Sequence, residues 1–289
     1  MRMLHLFAAA APVALLSTAA LLSTTALLST TAVAQTAKTY EPQVGQQGKD
    51  VIWVPTPDDI VERMLRMAQT TANDYVVDLG AGDGKIAIMA AKKFGAKSLG
   101  IEYNPEFARF AQENVVKAGV ADKARVQQGD IFATDFKSAS VVTMYLLPAL
   151  NLKLRPTILT MRPGTRIVSH SFTMDDWEAD ETSSLDGRRA YFWVVPANVQ
   201  GTWRLAFPGG ETPEVTFEQK FQKIDGHVQL GAMQGGLRET KLSGPNISFV
   251  YVDNNGVRRA FNGRVTGNTM EGMLRADNGA ESRWTAAKK

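Results

Sequence analysis

The segment VVDLGAGDGK at residues 76 to 85 constrains the fold more than any other stretch of the chain. An apolar run delivers Asp78 into three glycines at alternate positions, Gly80, Gly82 and Gly84, and a helical pattern starts at once with Lys85. Glycine accepts the left-handed backbone of a sharp strand-to-helix turn and leaves no Cβ between that backbone and a ligand. The alternation of short apolar runs with longer helical patterns continues on both sides. Pro57 followed by DDIVERMLRMAQ sets Ile60, Val61, Met64, Leu65 and Ala68 at helical spacing behind two acidic residues suited to an N-terminal turn. KIAIMAAKKFG, SLGIEY, PEFARFAQENVVKAG, ARVQQGD, ASVVTMYLL, NLKLRPTILTM and TRIVSHSF then follow in order. Such βαβ units predict an α/β domain over residues 51–197, with a mostly parallel sheet covered by helices on both faces. RRAYFWVVP near residue 190 adds a further strand, expected antiparallel near the end of the sheet.

From 198 to 289 the texture changes to short strand-like runs, among them WRLAF, EVTFEQKF, ISFVYV, VRRAFNGRV and SRWTA, divided by turn sequences such as PGG, NNG and DNG. No helical period appears, so an antiparallel sheet or small barrel of about seven or eight strands is expected. GTWRLAF either closes the first domain or opens the second. The aromatics Phe217, Phe221, Phe249, Tyr251, Phe261 and Trp284 recur with the alternation of core-facing strand residues. A module of this size needs nearly all its aromatics for its core.

At the other end, residues 1–34 carry one charged side chain, Arg2, then an Ala/Leu/Ser/Thr stretch and a small-residue Ala32-Val33-Ala34 end. This pattern predicts a secretory signal peptide cleaved before Gln35, and hence export, to the periplasm in a bacterium; retention as an anchor at the inner membrane is the alternative. Residues 35–50 are polar and aperiodic, and read as a linker. Loss of the leader takes 32 Lys and Arg to 31 against 29 Asp and Glu, a net charge of +2. That gives no basic footprint for nucleic acid. The chain has no cysteine, which suits an oxidising compartment and excludes a disulfide framework or a thiolate metal site.

The chemistry is concentrated around the glycine loop. Glu102 ends the next apolar run, 20 residues beyond Gly82, where a carboxylate can accept both hydroxyls of an adenosine ribose. A dinucleotide fingerprint spaces its glycines G-x-G-x-x-G, whereas here the third comes one position early and Lys85 stands in its place. The spacing favours S-adenosylmethionine, which has no pyrophosphate to seat. Gly129 and Asp130 end a further strand in VQQGDIF, and Ile131 follows, placed to pack on an adenine ring.

The glycine loop, the acidic strand end and the GD pair resemble the class I methyltransferases, over residues from about 52 to 197. More narrowly, WVPTP at 53–57, DLGAGDGKIAI, GIEYNP, VVTMYLLPALNLKLRP and IVSHSFTMDDW are similar to small lysine methyltransferases related to the enzyme that modifies the c-subunit of mitochondrial ATP synthase, and to secreted bacterial proteins with a β-rich tail. The resemblance implies a Rossmann-like class I methyltransferase sheet and S-adenosylmethionine as cofactor. It implies that Asp78, Gly80 and Gly82 line the methionine end, that Glu102 holds the ribose, and that Asp130 with Ile131 holds the adenine. Pro55 and Thr56 would close the site from the N-terminal side, and the segment Met144 to Pro148 would face the methyl acceptor. No Asn-Pro-Pro-Tyr or Asp-Pro-Pro-Tyr signature is present, which disfavours amide and adenine acceptors.

A sulfonium-bound methyl is already activated, so SN2 transfer asks the protein chiefly to align the acceptor and exclude water. An acceptor lysine must first lose a proton; Tyr145 is the candidate catalytic group, with packing at a strand end as its alternative role. His170 is a second titratable candidate, more commonly a structural residue. Asp175, Asp176 and Glu178 around Trp177 read as a solvated acidic turn, or as bait for a basic substrate. The expected function is methyl transfer to a protein lysine or another amine, the acceptor being a protein or a small molecule. The alternative is an exported, non-catalytic protein that binds an adenosine ligand as a sensor or scaffold.

Overall fold

The computed structural model describes residues 40–209, 212–277 and 279–289. The predicted leader and the first residues of the linker, through Thr39, lie outside the described residues. Residues 40–289 form one compact unit holding two sheets.

The first sheet is built as the apolar pattern demands. Its strands are β1 (Tyr75–Leu79), β2 (Lys97–Glu102), β3 (Ala124–Gln128), β4 (Val141–Met144), β5 (Arg166–His170), β6 (Glu181–Leu185) and β7 (Arg188–Val194). They lie in the order β3-β2-β1-β4-β5-β7-β6, parallel from β3 to β5, with β7 and β6 antiparallel at the far edge. Both faces are buried, and the period of two distributes neighbours between them. Val76, Val141 and Val168 join the core under α1 (Asp58–Met67) and α2 (Lys85–Phe94), whereas Val77, Val142 and Ile167 join the core under α4 (Pro148–Leu159). The remaining helix, α3 (Pro105–Lys117), covers β2 and β3. This is the expected Rossmann-like class I methyltransferase sheet with helices on both faces. The strand order reverses between β1 and β4, and in open α/β sheets ligands sit outside the carboxyl ends of strands at such a reversal.

β6 has no counterpart in the sequence reading. Its ETSSL sequence is exposed at three of five positions and carries one apolar residue, the partly buried Leu185, so this edge strand leaves no hydrophobic alternation to detect.

The second sheet has nine strands: β8 (Gly201–Ala206), β9 (Glu214–Lys220), β10 (Lys223–Leu230), β11 (Met233–Gly236), β12 (Arg238–Ser243), β13 (Asn246–Val252), β14 (Arg258–Thr266), β15 (Thr269–Ala276) and β16 (Glu281–Lys288). All pairings are antiparallel, in the order β11-β10-β9-β8-β16-β15-β14-β13-β12. GTWRLAF therefore opens this sheet. The two ends nearly meet: the Leu237 amide donates to the Gly226 carbonyl at 2.9 Å and the Thr240 hydroxyl to the Ile224 carbonyl at 2.7 Å. The result is an almost closed barrel, with few free edges. Its count exceeds the expected seven or eight because the polar strands β11 and β12 carry little apolar signal. Phe217, Phe249, Tyr251, Phe261 and Trp284 fill the interior as predicted. Phe221 does not. It sits at the tip of the β9–β10 hairpin and stacks on Trp177 of the first sheet's side, with ring centroids 5.8 Å apart.

Candidate active site

The glycine loop turns at the carboxyl end of β1 with positive φ at all three predicted glycines. The amides of Gly80 and Ala81 both reach the Ile101 carbonyl at 3.0 Å, which folds the loop against the end of β2. Gly84 serves as the N-cap of α2. At Gly82 two demands coincide: φ is +53°, and a Cβ would stand 2.6 Å from the indole nitrogen of Trp53. Glu102 closes the turn from below, accepting the Gly82 amide at 2.9 Å through Oε2 and the Asn104 amide at 3.0 Å through Oε1. Asn104 in turn caps α3 through the amides of Glu106 and Phe107.

Asp78 is 2% exposed, and its Oδ1 accepts the Thr143 hydroxyl at 2.8 Å. The pair arises from the parallel register, in which Asp78 lies opposite Thr143 of β4. Burial pushes the Asp78 carboxyl up to about 7; the Thr143 hydrogen bond opposes the rise, and the charges of Asp83 and Glu102 add to it. Glu102 is also raised by burial, against the pull of its backbone amides. A carboxylate held so high is short of positive partners, and a cationic ligand would supply one.

The roof over this cradle comes from the end of the stretch read as a linker, residues 45–50, and from the first residues of the α/β domain. Residues 45–53 form a tight hairpin: the Gly45 amide donates to the Trp53 carbonyl at 2.8 Å, the Trp53 amide to the Gln46 carbonyl at 2.9 Å, and the Gly48 amide to the Val51 carbonyl at 2.8 Å. Trp53 lies edge-on to Phe107 of α3, 5.0 Å between centroids. Lys49 reaches across to Asp130 at 2.8 Å, with its ammonium 4.6 Å above the Tyr103 ring. That ion pair holds the Asp130 carboxyl below its ordinary range, helped by the Phe132 amide at 2.9 Å. Thr56 is buried, and its hydroxyl shares a hydrogen bond of 3.1 Å with Nδ1 of His170 at the end of β5.

These groups enclose a cavity of about 350 Å³. Pro55, Thr56, Asp78, Gly80 and Gly82 line it, and so do Glu102, Asp130, Ile131 and Tyr145, so all nine sequence-predicted site residues meet at one place. At its far end Tyr145 stacks on Phe172 with centroids 6.1 Å apart, and Leu147 is exposed at the rim. His170 lies behind, its ring 4.0 Å from that of Tyr145. It is 2% exposed, Nε2 has no partner, and burial lowers its pKa to about 4. It is thus a neutral imidazole packed under the site, not in its lining. Lys49, Trp53, Thr143 and Phe172 were not singled out from sequence. Thr143 needs strand register to be found; Trp53 stood in the WVPTP motif, and Lys49 in a polar stretch with no periodic signal.

The acidic turn is solvated, as read from sequence, with Asp175, Asp176 and Glu178 all exposed, but it is not free. Trp177 is fully buried, Asp176 pairs with Arg155 at 2.6 Å and with Lys220 at 3.2 Å, and Glu178 pairs with Lys223 at 2.6 Å. Among the described residues no group of three or more His, Asp or Glu side chains is arranged to hold a metal.

Comparison with known proteins bears on the same region. A family model described as the ANTKMT methyltransferase domain matches residues 78–181. The chain is 43% identical over 151 residues to a protein-lysine N-methyltransferase of Saccharolobus islandicus, covering 50% of this chain and 94% of that protein. It is 30% identical over 177 residues to the mouse lysine N-methyltransferase of the ATP synthase c-subunit, covering 55% of this chain and 71% of that one. Among solved structures, a protein described as an RNA methyltransferase from Salinibacter ruber, in complex with S-adenosyl-L-homocysteine, is 46% identical with a TM-score of 0.50; the match covers 50% of this chain and 96% of that one.

Proposed function

We infer that this chain, which belongs to the family of S-adenosylmethionine-dependent protein-lysine N-methyltransferases, transfers methyl groups to the ε-amine of lysine in a protein. The enzyme is a methyltransferase with S-adenosylmethionine as its cofactor; the acceptor is the proposed part. The observation that carries it is the end of the cavity lined by Tyr145, Phe172 and exposed Leu147. A lining of aromatic and aliphatic side chains suits a long apolar stem tipped by an amine. The second reading, an RNA acceptor, is favoured by the description of the Salinibacter structure.

The cradle fits the cofactor on its own terms. Gly80 and Gly82, both at positive φ, turn the loop backbone along the cavity wall, and Asp78 sits nearly buried with its charge uncompensated. We assign Asp78 to the methionine amine. Each Glu102 oxygen keeps a second lone pair for a ribose hydroxyl beside the amide it already accepts. Asp130 and Ile131 flank the adenine end, and Pro55 with Thr56 excludes water from above. S-adenosylmethionine brings a methyl group on a sulfonium, ready for displacement by a nucleophile. Tyr145 is left to orient the incoming amine and favour its neutral form, with its ring backed by His170 and Phe172.

The test is transfer of labelled methyl from S-adenosylmethionine, by the full chain, to poly-L-lysine and to a single-stranded RNA in parallel, followed by hydrolysis and identification of the methylated product. Methyl-lysine supports the proposal, and label confined to RNA refutes it. The leader pattern further supports export. A mature N-terminus at Gln35 is expected, and a purified native chain that starts at Met1 would count against cleavage.

A further inference from the structure

We propose that the β-module is a brace for the acceptor end of the active site, and that Phe221 at the tip of the β9–β10 hairpin is its positioning residue. The proposal rests on the reading of the Tyr145–Phe172 end as the acceptor side. The Saccharolobus relative is matched over 94% of its length by 151 residues, and so is too short to hold both sheets described here. The second sheet therefore supplies something beyond the shared fold.

Its point of attachment says what. The segment that follows β5 leaves the sheet at His170, contributes Phe172 to the cavity and then runs to Asp180 before β6 begins. Little of its own secondary structure holds it, beyond an isolated bridge between Met174 and Trp177. The β9–β10 hairpin does the holding instead. Phe221 is stacked on Trp177 at 5.8 Å and 22° on one side, and the Arg155 guanidinium of α4 lies 5.3 Å from its ring centroid. The same Arg155 donates to the Met174 carbonyl at 2.8 Å and pairs with Asp176. Next to Phe221, the Gln222 amide donates to the Glu178 carbonyl at 2.8 Å and to Asp180 at 3.2 Å. Lys220 and Lys223 complete the clasp on Asp176 and Glu178.

The backbone supports the same conclusion. Phe221 holds φ +55°, a region that a bulky residue occupies only when its surroundings over-determine it. Ser171 and Asp175, within the clasped segment, also stand at positive φ. Of the six non-glycine residues with that conformation among the described residues, one stands at the hairpin tip and two in the segment the hairpin clasps. The chain of contact from barrel to cavity is continuous: Phe221 on Trp177, Arg155 on Met174, and Asn151 Nδ2 donating to the carbonyls of Phe172 at 3.4 Å and Thr173 at 3.2 Å.

The experiment compares the full chain with Phe221→Asn and Phe221→Tyr. Asparagine favours the left-handed conformation, so the hairpin turn is kept while the ring is lost; tyrosine keeps the ring. Three readouts are taken: hydrogen exchange over residues 171–180, affinity for S-adenosylmethionine by calorimetry, and turnover on poly-L-lysine. For Phe221→Asn, exchange over that segment should accelerate by about tenfold or more as local opening becomes easier, cofactor affinity should stay within about twofold because the glycine loop is not touched, and kcat should fall by about tenfold or more as the acceptor wall loses its place. Phe221→Tyr should restore all three. Unchanged exchange over 171–180 overturns the brace, as does a loss of cofactor affinity in step with turnover. Should Phe221→Asn fail to fold, Arg155→Leu removes the other half of the sandwich from within the α/β domain and carries the same expectations. If the unaltered chain leaves poly-L-lysine unmodified, the lysine reading fails, while exchange over 171–180 still decides the brace.

Discussion

Cofactor affinity should depend on pH through Asp78. Burial raises its carboxyl from 3.8 to about 7 in the free protein, whereas a bound amine would hold it ionised. If binding requires the carboxylate, the apparent Kd scales as one plus ten to the power of seven minus pH. Measured relative to Asp78→Asn, affinity at pH 8 should then exceed that at pH 6 by about tenfold, or about 1.4 kcal/mol. The assay is calorimetric titration of the full chain with S-adenosylmethionine at both values, in two buffers of different ionisation enthalpy. At pH 7 the wild type should release about half a proton more per ligand than Asp78→Asn, which keeps an oxygen for the Thr143 hydroxyl but has no charge to lose. The ligand's own titration is common to both proteins and cancels in the comparison. Equal pH slopes for wild type and Asp78→Asn would refute the assignment of this carboxylate to the cofactor's cationic end.

Gly82→Ala should abolish measurable cofactor binding, because its Cβ collides with the Trp53 indole at a backbone angle alanine avoids; calorimetry checks this, and retained binding would show that the roof can lift freely. Glu102→Ala should weaken the same binding by about 1 to 3 kcal/mol, the usual cost of leaving buried polar partners unmatched, read as a rise in Kd. In the ligand-free protein Asp78 and His170 should make opposed contributions to the pH dependence of stability between pH 4 and 6.5. There Asp78, raised to about 7, makes the folded state hold a proton that the unfolded state has lost, so stability falls with pH. His170, lowered to about 4, makes the unfolded state hold one that the folded state lacks, so stability rises. Relative to the wild type, urea midpoints should accordingly climb with pH in Asp78→Asn and drop in His170→Gln, and parallel curves in all three proteins would defeat the account. Lys49→Ala should leave the urea midpoint unmoved, since its partner Asp130 is 31% exposed and such pairs contribute little. Trp53→Ala should instead speed proteolysis within residues 44–52, and equal cleavage rates would mean that the indole does not hold the roof.

The α/β sheet was legible because each of its buried strands presents apolar side chains to two cores at once. Val76 and Val77, or Val141 and Val142, need no alternation to be read as strand when glycine turns and helical periods bracket them. The same physics hid β6, β11 and β12. Each places a single apolar side chain, Leu185, Met233 or Leu242, against a core, too few to set an alternation that the sequence alone reveals. Phe221 shows the limit from the other direction. Its alternation with Phe217 is that of a core residue, but the hairpin ends one residue before it, and the tip carries the ring out of the barrel and onto Trp177.

The candidate site divides along a similar line. Gly80, Gly82, Asp78, Glu102 and Asp130 were readable because each stands at or just past the carboxyl end of a strand, where local sequence fixes the turn and the resemblance to class I methyltransferases implies the chemistry. Of the roof only Pro55 and Thr56 were read, through the WVPTP resemblance; nothing in QQGKDVIW carries a period, and that hairpin packs against Gly82, Phe107 and Asp130. The two ends of the cavity are held by different parts of the chain: the cofactor end is covered by the hairpin at residues 45–53, against Gly82, Phe107 and Asp130, and the acceptor wall is clasped by the barrel through Phe221.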